Sequence, residues 1–443
     1  MWSWTWGERV ATGASGTRAS IVRPRAAEYS TGTIRAPLEW PHPFTPSPAT
    51  GPAGTSRRPS YPLATGDMSQ EQEPIAVFAS FSGAGGVERM LVNLIRGFVD
   101  LGHRVDLLLV RAQSPHLEGL PEQVRLIPMG SEHTFLAVFA LARYLRRQRP
   151  AALLAAKDRA GRAAVLARRL AGVDTRIVMR LGTNLSTAMA GRSAVQRWLR
   201  YWPIRRLYRR VDRIVAVSEG VADDTAAIAR IPRASISVVR NPVITPELRL
   251  LAAEPCAHPW FHPGGPPVIL GVGRLQRQKD FPTLIRAFAR VRRRRPCRLV
   301  ILGDGSGRAG LEALIADLGL EAEADLPGFQ ANPFPFLARA DLFVLSSAWE
   351  GSPNVLTEAL ALGRPVVSTD CPSGPHEILN GGRFGPLVPV GDADALARAI
   401  SDTLDRPLDP ETLQGAVAAY NQAESARGYL RALKLGSGDR RGE

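Results

Sequence analysis

Short apolar runs closed by glycine or serine, each followed by an amphipathic stretch, recur from residue 74 almost to the end of this 443-residue chain. That rhythm leaves few folds open. Residues 75–81 end in Ser82-Gly83-Ala84-Gly85-Gly86 and lead into a helical pattern that reaches about residue 101. Further strand-like runs follow at 104–110, 151–156, 176–181, 213–217 and 236–239, with helical segments between most of them. Strands alternating with helices of this length predict a parallel sheet with right-handed crossovers. Asn241-Pro242 and the Pro- and Gly-rich stretch 255–267 read as a boundary. A second series then begins at 268–272 and continues through 298–302, 342–346 and 365–368. A last helix over 410–434 has no strand after it. The fold class is therefore α/β, with two doubly wound, Rossmann-like domains over 71–243 and 267–408. Residues 244–266 form the linker and 409–443 a terminal helical segment. Two such domains face each other across a cleft at the C-terminal ends of their strands.

Residues 1–70 differ from everything after them. They are rich in Pro, Gly, Ser, Thr and Arg, and their acids are Glu8, Glu28, Glu39 and Asp67. No hydrophobic periodicity persists, which predicts disorder, or a native protein that starts at Met68. No apolar h-region marks a secretory signal.

Composition narrows the class. With 45% hydrophobic and 22% charged residues the chain reads as soluble and globular. No apolar run approaches the ~18 residues of a membrane span. Cys256, Cys297 and Cys371 form no CxxC pair, so buried, inert thiols in a reducing cytoplasm are expected. The net charge of +15 calls for an anionic partner, and much of the excess lies between residues 143 and 213.

Three segments can carry chemistry. The turn at Gly85 and Gly86 opens a helix, where free amides and the helix dipole favour a phosphate, although such turns serve tight packing equally well. Arg274 and Lys279 follow a strand end at Gly273, at the rim of the cleft. There they either neutralise a departing diphosphate or form a solvated basic loop with Arg277. Glu350 and Glu358 flank a helix start near Pro353. Two carboxylates at that spacing can grip hydroxyl pairs on a sugar and a ribose, or serve as a capping acid and an exposed helix charge.

Taken together and in order, these motifs resemble the retaining glycosyltransferases of family 4, which have the GT-B fold. The resemblance covers about residues 75–400. It rests on Gly85-Gly86-Val87-Glu88, Gly273-Arg274-Leu275 with Lys279, Gly303-Asp304-Gly305 and the glutamate pair within 349–358. Ala361-Leu362-Gly363-Arg364-Pro365 and Gly374-Pro375-His376-Glu377-Ile378 add to it. The resemblance implies that Arg274 and Lys279 bind the diphosphate of a nucleotide-sugar donor. It implies that Glu350 holds hydroxyls of the transferred sugar and Glu358 the ribose. Gly85, Gly86, Gly303, Ser352, Asn354 and Val355 would complete the donor site. It further implies same-face transfer without a protein nucleophile, a glycan or lipid-linked acceptor, and a last helix that crosses back to the N-terminal domain. Cell-envelope or exopolysaccharide synthesis is the expected setting.

One departure from the family stands out. Relatives place a histidine after a strand in the middle of the N-terminal domain, whereas the comparable stretch here reads Ala155-Ala156-Lys157-Asp158-Arg159. Either Asp158 or Lys157 substitutes on the acceptor side, or the match shifts by one strand. His103 follows Leu101-Gly102 and reads as a helix-end residue. No metal or other cofactor is expected, since Asp392-Ala393-Asp394 reads as a helix start. Residues 196–210 are dense in Arg, Trp and Tyr and suggest contact with an anionic membrane surface, with Pro203 breaking the segment in two. The rival readings are a GT-B epimerase or phosphorylase and a basic nucleic-acid-binding protein. The last lacks any accompanying motif, and no nucleic-acid partner is expected.

Overall fold

The computed structural model describes residues 74–435 other than Ala84, Glu132 and Ala190. The expectation of disorder, or of a start at Met68, concerns a segment that lies outside the described residues up to residue 73. Seven parallel strands form the N-terminal sheet: β1 (Ile75–Phe81), β2 (Val105–Ala112), β3 (Val124–Pro128), β4 (Ala152–Ala155), β5 (Arg176–Leu181), β6 (Arg213–Ala216) and β7 (Ile236–Val238). Their spatial order is β3-β2-β1-β4-β5-β6-β7. Six more form the second sheet: β8 (Val268–Val272), β9 (Arg298–Leu302), β10 (Ala324–Gly328), β11 (Leu342–Leu345), β12 (Val366–Thr369) and β13 (Leu387–Val388). Their order is β10-β9-β8-β11-β12-β13. The chain thus has two parallel-sheet α/β domains.

The run Ile75–Phe81 is apolar almost throughout because both faces of a parallel sheet are covered by crossover helices. Side chains alternate across the sheet. Ile75, Val77 and Phe81 join a core with Met90, Leu94 and Phe98 of the helix Gly86–Asp100. Ala76 and Phe78 face the opposite core, with Leu141 and Ala163. Val77 registers with both Leu107 and Leu154, which puts β1 in the middle of the sheet. Three strands escape a reading of sequence, β3, β10 and β13, and all three are edge strands.

Two expected elements need correction. The last helix is not continuous over 410–434. It divides into Pro410–Ala416, a 3₁₀ turn Ala418–Tyr420 and Gln422–Leu433. The break comes from the linker: the Val243 and Ile244 amides both donate to the Tyr420 carbonyl at 3.0 Å, and the Gln422 amide donates to Ile244. Asn421 then caps a new helix by accepting the Glu424 amide at 2.8 Å. That helix lies on the N-terminal domain, with Ala426, Tyr429 and Leu433 in the same core as Val77. Gly97 makes room for it, since a Cβ there would come 3.0 Å from the Ala426 Cβ.

The second correction concerns Pro203, which does not break its segment. One helix, Ala194–Leu207, runs through it. Tyr201 before the proline and Ile204 after it are buried in one core, so packing holds both halves in line. The forfeited bond is to the carbonyl of Leu199, on the solvent side, where water can take it. Ser193 starts the helix with a full capping box through Gln196.

Candidate active site

In each sheet the first strand of the domain lies between neighbours reached in opposite directions, β1 between β2 and β4 and β8 between β9 and β11. The loops leaving such strands open a crevice at the C-terminal edge of the sheet. The cleft between the domains has a volume of about 530 Å³, within the usual size of a small-molecule site. Gly85 and Gly86, from the loop after β1, line one wall. The loop after β8 supplies Arg274 and Lys279, and the turn after β9 supplies Gly303. The segment after β11 brings Glu350, Ser352, Asn354, Val355 and Glu358 to the same space.

Close backbone approach shapes the floor of this cleft. Gly303 has φ +138°, and a Cβ there would collide with the Gly273 carbonyl, so only glycine fits. A Cβ on Gly351 would likewise strike the carbonyl of Gly182, where the two domains meet. Lys279 is held by its own backbone, whose carbonyl accepts the Ser346 hydroxyl at 2.7 Å. Its Nζ lies 2.6 Å from Oε1 of Glu350. The Ser347 hydroxyl donates to that same oxygen at 2.8 Å, and both Ser347 and Glu350 are buried. Arg274 is exposed at the rim.

Glu358, on the helix Asn354–Ala361, is buried and paired with Arg89 of the other domain. Its second oxygen, Oε2, is buried and has no partner, so this carboxylate on the cleft has an unused acceptor. Arg89 is also stacked 4.9 Å over the Phe334 ring. Asn354 spans the cleft, donating from Nδ2 to the Gly86 carbonyl at 3.1 Å and accepting from Asn241 at 2.8 Å.

The profile of glycosyl transferases group 1 matches residues 266–406, and that of glycosyltransferase family 4 matches residues 84–246. A lipopolysaccharide core biosynthesis glycosyltransferase of Rhizobium meliloti is 30% identical over 72% of this chain and 86% of its own length. The chain belongs to the family 4 glycosyltransferases. A Campylobacter jejuni enzyme, N-acetylgalactosamine-N,N'-diacetylbacillosaminyl-diphospho-undecaprenol 4-alpha-N-acetylgalactosaminyltransferase, is 28% identical over 82% of the chain and 99% of that enzyme. An uncharacterized glycosyltransferase of Methanocaldococcus jannaschii is 50% identical, but the match spans 25% of this chain and 28% of that protein. Among solved structures, the lipopolysaccharide outer core galactosyltransferase WaaB covers 81% of the chain and 98% of its own at TM-score 0.62 and 22% identity. Anabaena HepE in complex with UDP covers 82% and 99% at TM-score 0.63 and 20% identity. Both likenesses establish the GT-B fold.

In this glycosyltransferase Asp158 is not on the cleft. Its carboxylate accepts Arg162 at 2.9 Å, Arg200 at 3.0 Å and the Tyr208 hydroxyl at 2.9 Å, tying three elements together. Burial, and next the charge of Asp158, raise the Tyr208 hydroxyl well above its ordinary range. Lys157 is turned to Glu88 at 3.5 Å, and the other oxygen of that carboxylate lies beside Gly85. His103 lies at the end of its helix and is half-buried, which lowers its basicity. Asp392 caps the helix Ala393–Asp405 through the amides of Asp394 and Ala395, and Asp394 pairs with Arg290. Among the described residues no group of three or more His, Cys, Asp or Glu is placed to hold a metal ion.

Sequence reasoning missed Arg89, Arg180 and Asn241, all of which line the cleft. Arg89 sits on a helix face that reads as solvated. Arg180 did leave a signal, being a cation in the interior of the strand Arg176–Leu181, which is otherwise apolar after Arg176, where burial is costly without a partner.

Proposed function

We propose that this glycosyltransferase moves a hexosyl group from a nucleoside-diphosphate sugar to a glycan or lipid-linked glycan acceptor, with retention of configuration, in cell-envelope or exopolysaccharide synthesis. The observation that carries the reading is the pairing of Lys279 with Glu350 on the same cleft as the half-unused carboxylate of Glu358. Glu358 accepts ribose hydroxyls through its free oxygen. Lys279 and Arg274 face the diphosphate and stabilise the negative charge that grows as the bond from the anomeric carbon to the phosphate oxygen breaks. Glu350 holds the sugar hydroxyls while Lys279 and Ser347 fix its orientation. The acceptor hydroxyl attacks the same face, and its proton passes to the departing phosphate oxygen. The donor class is supported by HepE, whose structures contain UDP and UDP-glucose. The acceptor class is supported by the name of the Campylobacter jejuni relative.

The same reading places the enzyme at the cytoplasmic face of a membrane. Among the described residues no helix is long and apolar enough to cross one. The helix Ala194–Leu207 leaves Trp198, Leu199 and Trp202 exposed beside Arg197 and Arg206, a mixture suited to anionic head groups. Co-sedimentation with anionic vesicles, falling with salt and with R197E/R206E, is the expected result.

Thermal-shift and product analysis with UDP-, GDP- and ADP-sugars, in EDTA, tests the main reading. Stabilisation by one donor, lost in E358A and R274A, and transfer with an unchanged anomer support it. Donor turnover without any acceptor, or only with free phosphate, would favour the epimerase or the phosphorylase instead.

A further inference from the structure

Five ionisable side chains that carry charge at neutral pH are buried in the described residues besides His258: Asp106, Arg162, Arg180, Glu350 and Glu358. Four of them have a counter-ion. Asp106 pairs with Arg125, Arg162 with Asp158, Glu350 with Lys279 and Glu358 with Arg89. Arg180 has none. It is 3% exposed. Its Nη2 donates to Oδ1 of Asn241 at 2.9 Å, and its Nε has no partner. An isolated buried charge is among the most costly features a fold can carry.

The surroundings hold this guanidinium in place without neutralising it. Asn241 receives it and in turn donates to Asn354, which donates to the Gly86 carbonyl, so the chain of hydrogen bonds crosses the cleft and returns. Gly182 has no side chain where the guanidinium lies, since a Cβ there would come 2.9 Å from Nη1. The buried Tyr429 hydroxyl stands close enough for the cation to offset part of the rise that burial imposes on it. Arg180 nevertheless lines the cleft. The missing negative charge therefore has a route in.

We propose that Arg180 is the holding point for a phosphate oxyanion carried by the acceptor. This rests on the donor placement proposed above. There the donor diphosphate is met by Arg274 and Lys279 of the C-terminal domain. Arg180 comes from β5 of the opposite domain, on the same cleft and beside the Gly182–Gly351 contact. A fixed, desolvated guanidinium binds phosphate through paired N–H donors without reorganising. It positions the acceptor hydroxyl beside the sugar held at Glu350 and takes no part in proton transfer.

The test uses the full chain as wild type, R180Q, R180K and R274A, with two probes. The first is an equimolar mixture of UDP, GDP and ADP, and the second is inorganic pyrophosphate added after that mixture saturates the protein. Wild type is expected to bind pyrophosphate in the presence of nucleotide. R180Q should lose that binding by roughly tenfold or more with nucleotide affinity kept, and R180K should retain part of it. R274A should show the reverse pattern. Because R180Q removes an uncompensated charge, its melting temperature should be no lower than that of wild type. Equal pyrophosphate binding in R180Q would overturn the proposal, as would a nucleotide loss in R180Q matching the pyrophosphate loss, or a marked fall in melting temperature in both R180Q and R180K. Pyrophosphate binding through Arg180 with no nucleotide binding by wild type would support the anion site and overturn the donor reading instead.

Discussion

Glu377 of the C-terminal domain accepts the backbone amide of Gly220, in the N-terminal domain, at 2.9 Å. Its other carboxylate oxygen accepts the Glu219 amide at 2.9 Å and Arg240 at 2.6 Å. One carboxylate thus occupies the free amides at the start of the helix Glu219–Ala229, a favourable place for negative charge, and joins the domains beside the cleft. Glu377→Ala is expected to weaken this closed arrangement by about 1–3 kcal/mol, the range for hydrogen bonds to a charged group. Small-angle scattering checks it: the variant should show a larger radius of gyration than wild type without nucleotide.

Lys279 should matter to rate more than to binding. Glu350 holds the Lys279 cation on the cleft, and in the proposed reaction that cation faces the charge growing on the leaving group, where such charges act most strongly in the transition state. Lys279→Ala is expected to lower kcat by about 10²–10³-fold with a smaller effect on donor KM. A variant that raised KM with kcat intact would show that Lys279 only binds.

Much of this arrangement is legible in the amino-acid sequence. The interior strands announce themselves through nearly unbroken apolar runs such as Ile75–Phe81, because both faces are buried. Three of the four edge strands do not. β3 carries Arg125 and Pro128, β10 contains Pro327 and Gly328, and β13 is two residues long. Edges bury less and tolerate proline, so their pattern fades. On one wall of the cleft, Arg274, Lys279, Glu350 and Glu358 are readable because they fall in two short segments after strands. The opposite wall is not. Arg89, Arg180 and Asn241 lie far apart in sequence, and only the fold brings them to one surface. Asp158, a carboxylate after a strand, is engaged by three donors away from the cleft lining, which its place in the sequence does not reveal.

Glu358 should govern nucleotide affinity. One oxygen is engaged by Arg89 and the other is buried without a partner, so a hydroxyl donor would relieve an existing deficit. Glu358→Gln is expected to weaken nucleoside-diphosphate binding by roughly tenfold to a hundredfold, read by calorimetry. Arg89→Ala should instead lower the melting temperature of the unliganded protein, because it leaves Glu358 buried without its counter-ion.

Asp158→Ala should damage stability and spare chemistry. The substitution strands Arg162, 7% exposed, and removes the partner of Arg200 and Tyr208. Breaking a buried pair in this way costs about 3–5 kcal/mol, visible in chemical denaturation. The kcat of the folded fraction should match wild type, and a large fall in kcat at unchanged stability would return Asp158 to the acceptor side.

The cysteines give the pH dependence. Burial pushes the Cys297 thiol up to about 11 and the Cys371 thiol up to about 12, the latter helped by the Glu350 charge, from an ordinary value of 9.0. At pH 8 both should resist iodoacetamide, while the half-buried Cys256 is labelled first. Mass spectrometry should find one label in the native protein and three after unfolding, matching the three cysteines. The consequence for stability has a definite sign. Below pH 9 folded and unfolded chains both keep these protons. Above it the unfolded chain releases them first, so it binds fewer protons than the folded chain and stability falls as pH rises toward 12. Cys297→Ser with Cys371→Ser should flatten the decline in denaturation midpoint between pH 9 and pH 11. An unchanged slope would mean that other groups, such as Tyr420 with its hydroxyl pushed up to about 12, set the alkaline limit.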